Sequence, residues 1–385
     1  MGLSIAVVIG FLQDPTPFGD DSIYYVGAIK SLGSNYPFLG WDPHVFAGYI
    51  PTIGLSWLTY LVPFLLVRAG YDVISSFHLA FVFVFLLFGL AVFYFARSVG
   101  SDRTVSFSMS ILAWSTNAYW NNAIWGGAYN RAFTIPFMIL AMGATYRYAS
   151  SLDRDRLLVR GYWICLVAWT LTYLGDVFLA ITGTAIGSIF LLFSAGTMNI
   201  VSGLKRVGLV FLPAVGLTLW QWVPILLQDL TVGPYRNQYV GPVDWTSLFL
   251  PGSTWQSTLN LVYIPLILSL CVILLLTRSQ TSLTEKAFLV ALSAVGTYWF
   301  VMGWVMPLWP YLPRLMASNS SVENLAWIFL MTLSVLFAVF RRNLMISVRP
   351  VFRLGFRVRF SFKPQYGASS RHCEQQCMAL GLREL

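Results

Sequence analysis

Two adjacent carboxylates, Asp20 and Asp21, stand in the stretch Pro17-Phe18-Gly19-Asp20-Asp21-Ser22-Ile23-Tyr24-Tyr25. Repulsion between neighbouring carboxylates raises the pKa of one of them, which suits it to act as a base or as a metal ligand. The competing role is a helix cap for a helix starting near Ser22, because Asp is a preferred N-cap. Further along, Trp41-Asp42-Pro43-His44 adds a carboxylate and an imidazole that could titrate or bind metal, although Asp42-Pro43 alone is an ordinary turn. Arg131, Arg236 and Arg314 are candidate phosphate holders, since the guanidinium fork matches phosphate geometry. Each could equally snorkel to a headgroup or pair with an acid. Asp176, in Tyr173-Leu174-Gly175-Asp176, is either a functional ionisable group close to hydrocarbon or the N-cap of the segment after it. Trp114, Tyr119, Trp120, Asn121, Asn122, Trp125, Tyr129 and Asn130 mix aromatic faces with amides, as glycan-binding surfaces do, or else belong to an interfacial aromatic belt.

The elements that must position these residues follow from composition. Of 385 residues, 57% are hydrophobic and only 10% charged, with mean hydropathy +0.69. Soluble domains carry about 25% charge, so the expected fold is an all-α, polytopic transmembrane helix bundle of about nine or ten spans. The polar breaks predict spans near 73–96, 104–120, 132–149, 161–175, 177–194, 207–227, 260–277, 287–305 and 324–340. Residues 52–67 are apolar but contain Pro63, and are expected to be interfacial or re-entrant. Met1–Leu12 reads as the outer end of a first span, is too short to span and has no secretory signal, so either residues are missing ahead of it or the start codon is miscalled. The expected domain is 1–340, with 13–72 as a large first extracytoplasmic loop carrying interfacial helices.

Charge placement predicts the orientation. With 13–72 outside, the inner connections before residue 341 hold ten Lys/Arg and the outer side five, while nine acids lie outside and four inside. This is the positive-inside pattern. Residues 341–385 hold nine Lys/Arg and two acids. They are expected to form a basic, disordered cytoplasmic tail beside an anionic leaflet. The expected location is the cell membrane, multi-pass, with both termini cytoplasmic and the lipid bilayer as partner. No domain organises the tail charges for nucleic acid, and that partner is excluded. Cys165 and Cys271 are expected to pack in spans. His372, Cys373 and Cys377 fall short of a four-ligand zinc site.

The first loop resembles that of GT-C superfamily membrane glycosyltransferases, and most closely the prokaryotic 6-pyruvoyl-tetrahydropterin-synthase-related membrane proteins. The resemblance rests on Asp20-Asp21-Ser22 with Tyr24-Tyr25, on Trp41-Asp42-Pro43, and on Phe46-Ala47-Gly48-Tyr49-Ile50-Pro51 with Tyr60. It covers residues 1 to about 340. Tyr25 stands where that pattern commonly has His. The Trp-Trp-Asp-Tyr-Gly motif of oligosaccharyltransferases is absent, which disfavours an N-glycosylation catalytic subunit. The stretch after Arg342 resembles nothing in the family, and aberrant sequence is an alternative there to a native basic tail.

The resemblance implies a membrane glycosyltransferase that moves a sugar from a polyprenyl-phosphate donor to a glycan or protein acceptor at the outer face. Asp21, assisted by Asp20, would be the catalytic base or acceptor-orienting group, with a divalent metal as a candidate cofactor on that pair. Asp42, His44, Arg131, Asp176, Arg236 and Arg314 would bind substrate. Two rival classes remain. A transporter would show inverted repeats and midplane ionisable residues, and neither is visible. A non-catalytic protein of the same architecture would tolerate Asp21→Asn, where an enzyme would not.

Overall fold

The computed structural model describes residues 22–34, 57–115, 129–150, 157–194, 200–232, 282–304, 331–332 and 334–335. The chain divides into two units, Met1–Phe340 and Arg341–Leu385, and every described element belongs to the first. The described residues are all helical or in short connections, with no strand among them. Nine helices are described: α1 Ser22–Ser34, α2 Trp57–Arg68, α3 Val73–Ser98, α4 Arg103–Ser115, α5 Tyr129–Ser150, α6 Leu157–Tyr173, α7 Val177–Ser194, α8 Ile200–Val232 and α9 Leu283–Trp304.

Two of them are long and apolar enough to cross a membrane, Val73–Ser98 and the Ile200–Val223 part of α8. At 1.5 Å per residue α3 is about 39 Å long, against a hydrocarbon core of about 30 Å. The segments Trp57–Arg68 and Leu179–Ser194 are apolar but shorter. The expected spans at 73–96, 132–149, 161–175 and 177–194 coincide with α3, α5, α6 and α7 to within a few residues, and 52–67 contains α2 with Pro63 inside it. The expected span at 260–277 lies outside the described residues.

Three helix starts lie four or more residues ahead of the expected ones, each where charges hid the start: α6 at Leu157, ahead of Arg160, and the starts of α8 and α9. The structure begins α8 at Ile200, carrying Lys205 and Arg206 within the helix instead of in a loop. It begins α9 at Leu283, because Ser282 and Glu285 form a reciprocal capping box. There the Glu285 backbone N–H donates to Ser282 Oγ at 3.2 Å, and the Ser282 N–H donates to Glu285 Oε2 at 3.0 Å.

Helix α5 is the hub and packs on α2, α3, α6, α7 and α9. Its buried residues run around most of its circumference, from Ala132 and Phe133 to Tyr146 and Tyr148, as a helix enclosed by other helices requires. Small residues let neighbours approach. A Cβ on Gly143 would stand 3.2 Å from Phe95 Cα of α3, and one on Gly89 of α3 would overlap the Trp114 indole of α4. Serine and threonine hydroxyls in these apolar helices bond back to their own helix, as Thr145 does to the Ala141 carbonyl at 2.7 Å. Gly70 (φ 101°) and Gly100 (φ 95°) take left-handed conformations that end α2 and α3, which glycine adopts without steric penalty.

The packing defines two ends. At one end Phe288 of α9 meets Phe95, Tyr146 and Phe190, and the Arg147 guanidinium lies 4.6 Å from the centroid of the Tyr94 ring. At the other end the starts of α1, α2, α3 and α5, the α6–α7 turn and the second half of α8 converge. In the middle Trp169 is fully buried and donates to Thr145 Oγ1 at 2.9 Å. Cys165 packs there as expected, buried and 3.3 Å from the same hydroxyl; Cys271 and the tail cysteines lie outside the described residues.

Candidate functional site

The converging end is organised by the α6–α7 turn. Leu174 and Gly175 N–H groups close the end of α6 on the Thr170 and Thr172 carbonyls at 2.9 and 3.1 Å. Asp176 then starts α7. Its Oδ1 accepts the Leu179 N–H at 3.0 Å and its carbonyl accepts that of Ala180 at 2.9 Å, so it is an N-cap. The turn is pinned to α5 as well. The Asp176 N–H donates to Thr134 Oγ1 at 2.6 Å, and that hydroxyl donates to the Asn130 carbonyl at 2.6 Å. A Cβ on Gly175 would overlap the Thr134 side chain, so the turn needs glycine at this close approach.

A second contact engages the remaining carboxylate oxygen. Asn130 Nδ2 donates to Asp176 Oδ2 at 2.6 Å, a charge-assisted bond, while Asp176 is only 4% exposed. The same amide accepts through Oδ1 from the Tyr25 hydroxyl of α1 at 3.0 Å. Tyr25, Asn130 and Asp176 therefore form one polarised chain in which each bond strengthens the next. It crosses three elements separated by 105 and 46 residues in sequence.

Aromatic packing fixes the same junction. The Tyr25 ring stacks on Tyr60 of α2 at 5.7 Å and meets the edge of Tyr129 at 5.5 Å. Tyr129 also packs edge-on against Phe77 of α3 at 4.2 Å. The α2 start is held by the Leu58 N–H donating to the Leu174 carbonyl at 3.0 Å, which satisfies one of the donors a helix N-terminus leaves open. Trp57 meets Trp220 of α8 edge-on at 5.4 Å, and Tyr173 of α6 meets Trp222 at 5.7 Å. At the start of α3, Asp72 caps the helix by accepting from the Ser75 N–H at 2.9 Å. The Ser75 side chain and N–H together hold its carboxyl below the usual Asp range.

Of the residues singled out from the sequence, the structure places Asp176 and Arg131. Asp176 takes the capping role and adds the Asn130 bond. Arg131 is half-buried in the first turn of α5, beside Asn130, because α5 starts at Tyr129 and not at residue 132. Asp20, Asp21, Asp42, His44, Arg236 and Arg314 lie outside the described residues, although α1 begins at Ser22, immediately after Asp21. Of the residues that read as either a glycan-binding mixture or an interfacial belt, Trp114 is half-buried against α3: its Nε1 donates to the Phe85 carbonyl at 3.0 Å and its ring stacks on Phe85. Tyr129 is buried and Asn130 serves Asp176; the other five lie outside the described residues. Among the described residues no group of three or more His, Cys, Asp or Glu could hold a metal ion.

Sequence reasoning missed the roles of Thr134 and Asn130 as partners of Asp176. Nothing local to either residue signals a partner 40 or more positions away. No family model matches the chain, and no curated protein matches it.

Proposed function

We propose that the chain is a multi-pass membrane glycosyltransferase with a GT-C-like fold, which moves a sugar from a polyprenyl-phosphate donor to a glycan or protein acceptor at the outer face. The observation that carries the reading is the Tyr25–Asn130–Asp176 chain. It fastens the helix that begins at Ser22, the residue after Asp21 in sequence, to α5 and the α6–α7 turn. A catalytic carboxylate needs such fixing, because it must reach the acceptor hydroxyl to within about 2.6–3.2 Å. Tyr25, where the resembling proteins commonly carry His, supplies that anchor here.

In this reading Asp21, with Asp20, takes the proton of the acceptor hydroxyl as that oxygen bonds to the sugar's anomeric carbon. The polyprenyl phosphate departs with the electron pair of the broken bond. Arg131, beside the anchor, and Arg236 and Arg314 neutralise the phosphate. Asp42 and His44 contact substrate from the same loop, and a divalent metal on Asp20-Asp21 remains a candidate. Asp176 acts through Asn130 as a positioning residue.

The placement of the described charges supports the orientation in this reading. Arg97, Arg103, Arg147, Lys205, Arg206 and Lys286 all sit at helix ends away from Asp176. That supports a cytoplasmic Arg147 end and an extracytoplasmic Asp176 end in the cell membrane. The test is sugar transfer in membranes containing the full chain, with radiolabelled polyprenyl-phosphate hexoses as donors. Transfer above that of membranes lacking the chain is the expected result; none from any donor would favour a non-catalytic membrane protein.

A further inference from the structure

The buried seam of α8 runs Val210, Phe211, Ala214, Thr218, Gln221, a three-and-four spacing that keeps one stripe against α6 and α7. It is apolar at the Arg147 end and turns polar towards the Asp176 end. Thr218 satisfies itself, with Oγ1 3.0 Å from both the Ala214 and Val215 carbonyls. Gln221 does not. It is 2% exposed, and neither Oε1 nor Nε2 has a hydrogen-bond partner. One residue on, the Trp222 Nε1 is likewise buried without an acceptor, while its ring packs on Tyr173. Tyr173 itself is engaged, its hydroxyl 2.5 Å from Thr184 Oγ1.

A buried amide with both ends open is unfavourable by about 1–3 kcal/mol per group, so something with matching donors and acceptors is expected to complete it. Gln221 offers one acceptor and one N–H donor, and Trp222, whose ring packs on Tyr173, offers a second N–H; all are neutral. That set does not match an anion, for which a cation would be used. It matches the adjacent hydroxyls of a sugar, each both donor and acceptor, with a C–H face for the ring.

We infer that Gln221, with Trp222 Nε1, recognises the hydroxyls of a sugar headgroup at the Asp176 end. The inference deepens the donor reading above and rests on it. Gln221 is then a specificity-determining residue for the sugar and has no part in holding phosphate.

The test is equilibrium binding to the full chain in nanodiscs. The probes are a radiolabelled polyprenyl-phosphate hexose and polyprenyl phosphate without sugar. Wild type should bind the sugar-bearing lipid at least tenfold more tightly than the bare phosphate. Gln221→Met should abolish that preference, leave bare-phosphate binding unchanged, and raise the melting temperature by removing an open buried amide. Gln221→Glu, which keeps the acceptor but loses the donor while ionised, should keep part of the preference or less. A sugar preference that survives both substitutions would overturn the role of Gln221 while leaving the donor reading intact. No preference in wild type would overturn both, with Gln221 serving only water. A fall in melting temperature for Gln221→Met would show the amide to be a structural contact and likewise overturn the inference.

Discussion

The Asn130–Asp176 contact makes a prediction that separates hydrogen bonding from charge. Asp176→Ala removes the α7 cap, about 1 kcal/mol, and leaves the half-buried Asn130 Nδ2 without its acceptor, about 1–3 kcal/mol. The expected loss is about 2–4 kcal/mol. At about 2–4 °C per kcal/mol for a large domain, this lowers the melting temperature by roughly 4–16 °C. Asp176→Asn should be far milder, below about 1 kcal/mol. Its amide oxygen still caps Leu179, and Asn130 can turn over so that its oxygen faces the new N–H group and its nitrogen faces the Tyr25 oxygen. Asn130→Asp should behave differently again. It sets two carboxylates at the 2.6 Å of the present bond, which must share a proton. The shared proton raises one pKa above its unfolded value, so the variant is most stable at low pH and loses stability as pH rises through the raised value. The assay is thermal unfolding of purified protein in detergent, followed by tryptophan fluorescence between pH 4 and 8. Asp176→Asn as damaging as Asp176→Ala would refute the reasoning, because negative charge and not bond pattern would then matter. A pH-independent Asn130→Asp would refute the contact itself.

Three further outcomes follow from the local geometry. Asp72 has its pKa depressed by the Ser75 side chain and N–H. Its support for α3 is therefore complete above the ordinary Asp value of about 3.9 and is lost as pH falls through the lower folded value; amide exchange in the first turn of α3 should accelerate there, and should be fast at all pH in Asp72→Ala. Gly175→Ala drives a methyl into Thr134 and should lower the melting temperature by more than Thr134→Val, which removes only the two bonds of that hydroxyl at about 1 kcal/mol each. Ser282→Ala breaks the α9 capping box and should cost about 1 kcal/mol, visible as faster exchange at Leu283–Lys286 with the rest of the chain unchanged.

The helices were legible in the sequence wherever an apolar run was bounded by glycine, proline or charge. The Gly175-Asp176 turn, the apolar segment with Pro63 and the apolar run after Asp72 were all readable from such punctuation. The helix starts at Ile200 and Leu283 were not, because Lys205, Arg206, Glu285 and Lys286 read as loop charges. At Leu283 the signal existed, a serine three residues before a glutamate. The candidate site was legible only in part. Asp176 stood out as an acid between apolar segments, and its cap follows from type and place. The bond that buries it does not, since Asn130 looked like a loop amide and Tyr25 like one of many loop aromatics. Trp114 carries two readings in the sequence, glycan binding or interfacial belt, because its neighbours are aromatic and amide-rich; the slot that Gly89 opens for its indole is revealed only by the opposing helix.

The most direct test of the catalytic claim is sugar transfer from radiolabelled polyprenyl-phosphate hexose in membranes, comparing wild type with Asp21→Asn and Asp20→Asn at matched levels of folded protein. The account predicts transfer by wild type, loss of at least a hundredfold in Asp21→Asn as for removal of a general base, and a smaller loss in Asp20→Asn. Equal transfer by all three would contradict it.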